Sequence, residues 1–166
     1  MMVHTMTITY NIISLRIYSE IIENLKLISK EKGYNLYPNG NEYVTHAFSN
    51  FGMKKVSVLK RHINSKYQYP YMKISINLNP AILIGKGYEE LINEEDLDLV
   101  EKVFDTLIKS IHKDLPRLML WSVNRIDYAI NITTEYVEEY IKLFQKGDKP
   151  FNFEELYCKK SRRRNS

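Results

Sequence analysis

Polar and apolar residues alternate at the start of the chain: Met6, Ile8, Tyr10 and Ile12 interleave with Thr5, Thr7, Thr9 and Asn11. A period of two is the signature of a half-buried strand and predicts one over Thr5 to Ile17. The phase slips at Ile12, because Ile13, Leu15 and Ile17 are the apolar set beyond it. A bulge or a strand end there accounts for the slip. Ser19 then caps a predicted helix running to about Lys32, with Ile21, Ile22, Leu25 and Ile28 on one stripe and Gly33 as its stop.

Pro38 to Asn41 has loop composition, and two strands are expected after it, at Glu42 to Ser49 and Lys54 to His62. The clearest alternation follows in Tyr71 to Asn79. Met72, Ile74, Ile76 and Leu78 point one way and Lys73, Ser75, Asn77 and Asn79 the other. Pro80 ends this run or confines its continuation to an edge.

Asn93 opens a long helix to about His112. Asp96, three residues on, completes a capping box with the shorter acid. Its buried stripe is Leu97, Val100, Val103, Phe104, Leu107, Ile108 and Ile111. A long strand is expected over Leu118 to Ile132, then a helix from Thr133 or Thr134 to Gly147. The order β-α-β-β-β-α-β-α predicts an α+β fold. Its ferredoxin-like antiparallel sheet carries helices on one face and leaves the other open. One domain spans 1–147, and 148–166 form a polar, basic tail.

Composition supports a core and narrows the setting. The chain has 166 residues, 44% of them hydrophobic and 27% charged, which fits one folded domain. No run approaches the ~20 apolar residues of a membrane span, and no signal peptide is recognisable in Met1 to Tyr10. The single cysteine, Cys158, excludes an intrachain disulfide and a Cys-based zinc site. A reducing cytoplasm is the expected location.

Charge is polarised rather than large. The net charge is +4, yet Tyr43 to Tyr88 contains no acid and carries Lys54, Lys55, Lys60, Arg61, Lys66, Lys73 and Lys86. From Glu89 to Asp105 the sign reverses, with eight acids against Lys102. Such polarity suits a protein that offers one face to a polyanion. Alternation places Arg125, Asp127 and Asn131 on the open face with Trp121, beside Lys73, Ser75, Asn77, Thr7 and Thr9. The predicted nucleic-acid-binding set is Lys54, Lys55, Lys60, Arg61, Lys73, Asn77 and Arg125, with Tyr67, Tyr69 and Tyr71 as stacking candidates. The competing reading is that these strand residues simply face water. Arg125 and Asp127, two apart on one strand, can pair with each other. The other reading makes Asp127 a metal ligand or a DNA-facing carboxylate. Gly85-Lys86-Gly87 lacks phosphate-loop spacing and reads as a turn. The acidic Glu94 to Asp98 segment reads as a solvated helix start, or as a surface that imitates nucleic-acid phosphates.

The segment Trp121-Ser-Val-Asn-Arg125-Ile-Asp127-Tyr-Ala-Ile-Asn131, with the helix ending Tyr140-Ile-Lys-Leu-Phe-Gln-Lys-Gly147, resembles the strand and following helix of rolling-circle replication initiation factors. The resemblance covers about Tyr71 to Tyr157. It implies a ferredoxin-like nicking domain of a plasmid, phage or conjugative element, acting in DNA replication initiation on single-stranded or hairpin origin DNA. Asp127 matches that family's strand acid, and Mg²⁺ or Mn²⁺ assists a nucleophilic tyrosine there. The chain departs from the related His-hydrophobe-His initiators, since His4, His46, His62 and His112 are scattered, and no tyrosine sits in a nucleophile motif. It is therefore expected to correspond to the N-terminal part of an initiator or to a small protein derived from one, to bind DNA without a required cofactor, and to lack the nicking tyrosine. A further reading is an active nickase dependent on Mg²⁺ or Mn²⁺. The alternative is a mobile-element-encoded protein inhibitor of a host nuclease, anti-CRISPR-like, built on the same truncated fold.

Overall fold

The computed structural model describes residues 2–61, 70–87 and 90–129, without the side chains of 2, 3 and 129. All of them belong to the unit Met1–Asn131. The helix expected to end at Gly147, the tail from 148, Asn131, Lys66, Tyr67 and Tyr69 lie outside the described residues.

The chain is an α+β protein. Its described strands form one antiparallel sheet in the order β2-β3-β4-β5-β1-β6. These are β1 (Met2–Asn11), β2 (Tyr37–Asn39), β3 (Glu42–Thr45), β4 (Met53–Arg61), β5 (Tyr71–Leu78) and β6 (Ser122–Ala129). Two main helices accompany them, α1 (Leu15–Glu31) and α3 (Leu97–Ile111), with a single-turn helix α2 (Pro80–Leu83).

One sheet face carries the core. Ile8 of β1, Val56 and Val58 of β4, and Ile74, Ile76 and Leu78 of β5 are fully buried. Ile21 and Leu25 of α1 and Val100, Phe104, Ile108 and Ile111 of α3 join them in one continuous cluster. Burying a Leu-, Ile- or Phe-sized side chain is worth roughly 1.5–3 kcal/mol, so this cluster dominates the fold. Where α1 meets β3, Ser29 and Thr45 are both buried and share a 2.7 Å hydroxyl hydrogen bond, which removes the cost of two unpaired polar groups.

Several elements follow the sequence pattern. β5 alternates as expected, with Met72, Ile74, Ile76 and Leu78 buried. The Asn93–Asp96 capping box is formed, through a 3₁₀ turn that leads into α3. Val100, Phe104, Ile108 and Ile111 of the expected stripe are buried, while Leu97 is exposed. Asn79 caps α2 with Pro80 in its first turn, so Pro80 opens a helix rather than an edge segment.

Other boundaries are corrected. β1 ends at Asn11 rather than Ile17, and α1 begins at Leu15 with Ser14, not Ser19, as its cap. Ile13 and Leu15 mimic strand alternation, but Ile13 is 90% exposed and joins no core. Pro38 and Asn39, expected in a loop, belong to β2, and the turn of the β2–β3 hairpin is Gly40 and Asn41, where Gly40 takes a positive φ of 60°. The strand expected at Glu42 to Ser49 stops at Thr45, whose hydroxyl accepts the Ala47 N–H at 3.2 Å, and Ser49–Phe51 form a 3₁₀ turn. The expected strand at Leu118 to Ile132 starts with a 3₁₀ turn, Leu118–Leu120, and β6 begins at Ser122.

The β6 faces are shifted by a bulge. Thr7 pairs with Arg125 but Ile8 pairs with Val123, leaving Asn124 as the extra residue. Simple alternation put Trp121 beside Arg125. The bulge turns the chain over, and Trp121 is 6% exposed in the core, edge-on to Phe104 at 5.4 Å. Its indole N–H donates to the Pro116 carbonyl at 3.1 Å. Ile126 and Tyr128 alternate with Arg125 and Asp127, so the pattern predicts them as core, yet both are exposed. Among the described residues, no helix is long and apolar enough to cross a membrane.

Candidate nucleic-acid interface

The second sheet face is assembled by strand register. Lys55 of β4 pairs with Asn77 of β5, Asn77 with Thr7 of β1, and Thr7 with Arg125 of β6. These four positions form one row across four strands, spanning roughly 14 Å at ordinary strand spacing. Nearer the other end of β5, Arg61 pairs with Tyr71, and Lys73 lies between Leu59 and Asn11. Residues an even number of positions apart share a strand face, so Lys55, Arg61, Tyr71, Lys73, Asn77 and Arg125 converge there.

This face is not uniformly open, contrary to the expectation. Val44, Ser57, Leu59, Thr5 and Thr9 are buried on it. Val44 and Leu59 are apolar and interrupt the polar pattern of their strands. Lys55, Lys73, Ser75 and Asn77 are partly exposed, and Arg61, Tyr71 and Arg125 are exposed.

Two cations on the face have carboxylate partners. Arg125 Nε donates to Asp127 Oδ1 at 2.7 Å, and Lys55 Nζ lies 3.9 Å from Glu42 Oε2. Thr5 Oγ1 donates to Asp127 Oδ2 at 2.5 Å. The Thr5 hydroxyl first, and Arg125 second, hold the Asp127 carboxyl below its ordinary value. Both oxygens of Asp127 are thus engaged by the protein. Among the described residues, neither Arg61 nor Lys73 reaches a carboxylate.

Not every expected residue arrives here. Lys60 pairs with Met72 and lies on the helix-bearing face, its Nζ 5.7 Å from the centre of the Tyr18 ring. Lys54 falls in an irregularity between Met53 and Lys55, where its carbonyl accepts from Ser49 and lies 2.7 Å from His46 Nδ1. For Asp127 as a metal ligand, no group of three or more His, Cys, Asp or Glu side chains is assembled among the described residues. Lys86, in the turn that lacked phosphate-loop spacing, is bound to Asp96 at 2.6 Å and holds that carboxyl low.

Some contributors were not anticipated. Asn124 accepts from Thr9 Oγ1 at 3.0 Å, and Glu42 sets a negative charge near Lys55. Alternation within one strand reveals neither, because each depends on pairing between strands. No protein-family model, no curated protein and no solved structure matches this chain.

Proposed function

We propose that this protein is a DNA-binding module of the replication-initiator type, docking single-stranded or hairpin DNA on the second face of its sheet. The observation that carries this reading is the convergence of Lys55, Arg61, Lys73 and Arg125 on one face, with Arg61 and Lys73 free of carboxylate partners among the described residues. Cations spaced along a sheet neutralise successive phosphates, while amide and aromatic side chains meet the bases. Asn77 and Tyr71 supply those groups.

The scaffold is read as ferredoxin-like. The strands β6-β1-β5-β4 take the order of two interleaved β-α-β crossovers, one through α1 and one through α3, with the β2–β3 hairpin added beyond β4. The engagement of both Asp127 oxygens by Thr5 and Arg125 supports a role in orienting the guanidinium. The proposal therefore assigns binding to this face and no bond-breaking step.

The test is fluorescence anisotropy with a labelled single strand over a salt series. Four phosphate contacts give a slope of about 3 in log K against log salt. Absence of binding at low salt overturns the reading. A second reading, a protein inhibitor of a host nuclease, is favoured by Leu97 and Leu99, which stand exposed beside Glu94, Glu95 and Asp98. A stoichiometric complex with such a nuclease, without DNA affinity, would decide for it.

A further inference from the structure

We infer that the sheet end beside Tyr71 is a stacking subsite for an unpaired base of a single-stranded nucleic acid; this rests on the DNA-binding reading above. A cavity of about 380 Å³ opens there, and Asn11, Ile12, Ile13, Leu15, Tyr71 and Met72 are among its lining residues. That volume falls at the lower end of the roughly 300–1,000 Å³ typical of small-ligand pockets.

Its lining is mostly apolar, yet its surroundings are cationic. Tyr71 pairs directly with Arg61, and Asn11 pairs directly with Lys73. Tyr71 and Asn11, an aromatic and an amide residue, are thus both part of the cavity lining, and each has a cation as its cross-strand neighbour. Ile13 is 90% exposed and Leu15 is also exposed, so two aliphatic side chains are held at the surface beside the ring. Neither position is explained by the core.

This combination matches the two halves of a nucleotide. An aromatic ring and aliphatic side chains accept the flat face of a base, and a primary amide can hydrogen-bond its edge. The cations lie to the side, where the phosphates of a continuing strand must pass. A base still paired in a duplex cannot enter, because its faces are covered by its neighbours. The occupant is therefore a base of a single strand, not a free apolar ligand, for which Arg61 and Lys73 would have no use.

The test uses the full chain and a single-stranded oligonucleotide of about 12 residues, within the usual site size, with 2-aminopurine at an internal position. Binding of the wild type should change the 2-aminopurine emission. Tyr71→Ala should weaken single-strand binding roughly 5- to 150-fold, the range for losing one stacked base, and leave the salt slope unchanged. Tyr71→Phe should restore affinity. Lys73→Gln should instead lower the salt slope by about one unit. Emission of the buried Trp121 reports that each variant is folded. If Tyr71→Ala binds single strands as the wild type does, the stacking subsite is wrong while the basic-face reading stands. If the wild type binds no single strand even at low salt, both fall.

Discussion

His112 and Glu20 are joined across 92 residues of sequence, the imidazole Nε2 lying 2.8 Å from the carboxylate Oε2. The other ring nitrogen, Nδ1, accepts the backbone N–H of Asp114 at 3.2 Å. A neutral ring must then carry its proton on Nε2 and donate it to Glu20. His112 is buried at the end of α3, so this contact ties the C-terminus of that helix to α1. Nearby, Asn24 of α1 donates to the Ile111 carbonyl at 2.8 Å.

A pH dependence follows from this clasp. The hydrogen bond from His112 first, and Arg16 besides, hold the Glu20 carboxyl below its ordinary value of 4.5. A group whose folded value is depressed adds stability above the unfolded value and loses it as pH falls through the folded one. Glu20→Gln should therefore be less stable than the wild type at neutral pH. The gap should close as the pH drops below 4.5. Urea midpoints measured at intervals from neutral to acid check this, and a gap that stays constant would refute it.

Gly52 separates two kinds of glycine cost. It takes φ 82°, and a Cβ there would lie 2.6 Å from the backbone oxygen of Asn79 and the backbone nitrogen of Leu83. Gly33 has a similar φ of 75°, with nothing within 4 Å of its would-be Cβ. Gly33→Ala should cost about 1–2 kcal/mol from backbone conformation alone. Gly52→Ala adds overpacking against backbone that cannot step aside, for a total of about 2–5 kcal/mol. Chemical denaturation of the two variants should show that ordering.

Trp121 is the chain's only tryptophan and serves as a reporter of the core. It meets Phe104 edge-on and Tyr10 at 5.8 Å between ring centres. Native emission should be blue-shifted and move red on unfolding. Phe104→Ala should lower stability by about 3–5 kcal/mol, since the ring is fully buried. The transition followed by Trp121 emission measures that loss.

What the sequence reveals and what it hides both trace to particular residues. β5 is legible because Met72, Ile74, Ile76 and Leu78 all meet the core, so alternation and burial coincide. The start of α3 is legible because Asn93 and Asp96 satisfy each other's backbone locally. The bulge at Asn124 leaves no local mark, because it exists only as a pairing of β6 with β1. Missing it reversed the side assigned to Trp121. The start of α1 is hidden because Ile13 and Leu15 are apolar yet exposed, which periodicity reads as a continuing strand. Of the expected basic set, alternation placed Lys73, Asn77 and Arg125 together correctly. Lys60 and Arg61, adjacent on one strand, necessarily take opposite faces, so a basic set grouped by charge cannot all share one surface; pairing with Met72 and Tyr71 fixes which face each takes.

That separation supplies a sharp control for DNA binding. Lys60 and Arg61 are adjacent, carry the same charge, and lie on opposite faces of β4. A protein that attracts DNA through net charge alone would lose affinity equally from either substitution, because both remove one positive charge. A protein that docks DNA on the second face should respond to Arg61→Gln with a salt slope lower by about one unit. Lys60→Gln should leave the slope unchanged, because its ammonium lies by the Tyr18 ring, on the helix-bearing face. Anisotropy titrations of both variants at several salt concentrations decide the matter. Equal losses would point to diffuse attraction, and a larger loss at Lys60 would move the binding surface to the other side of the sheet.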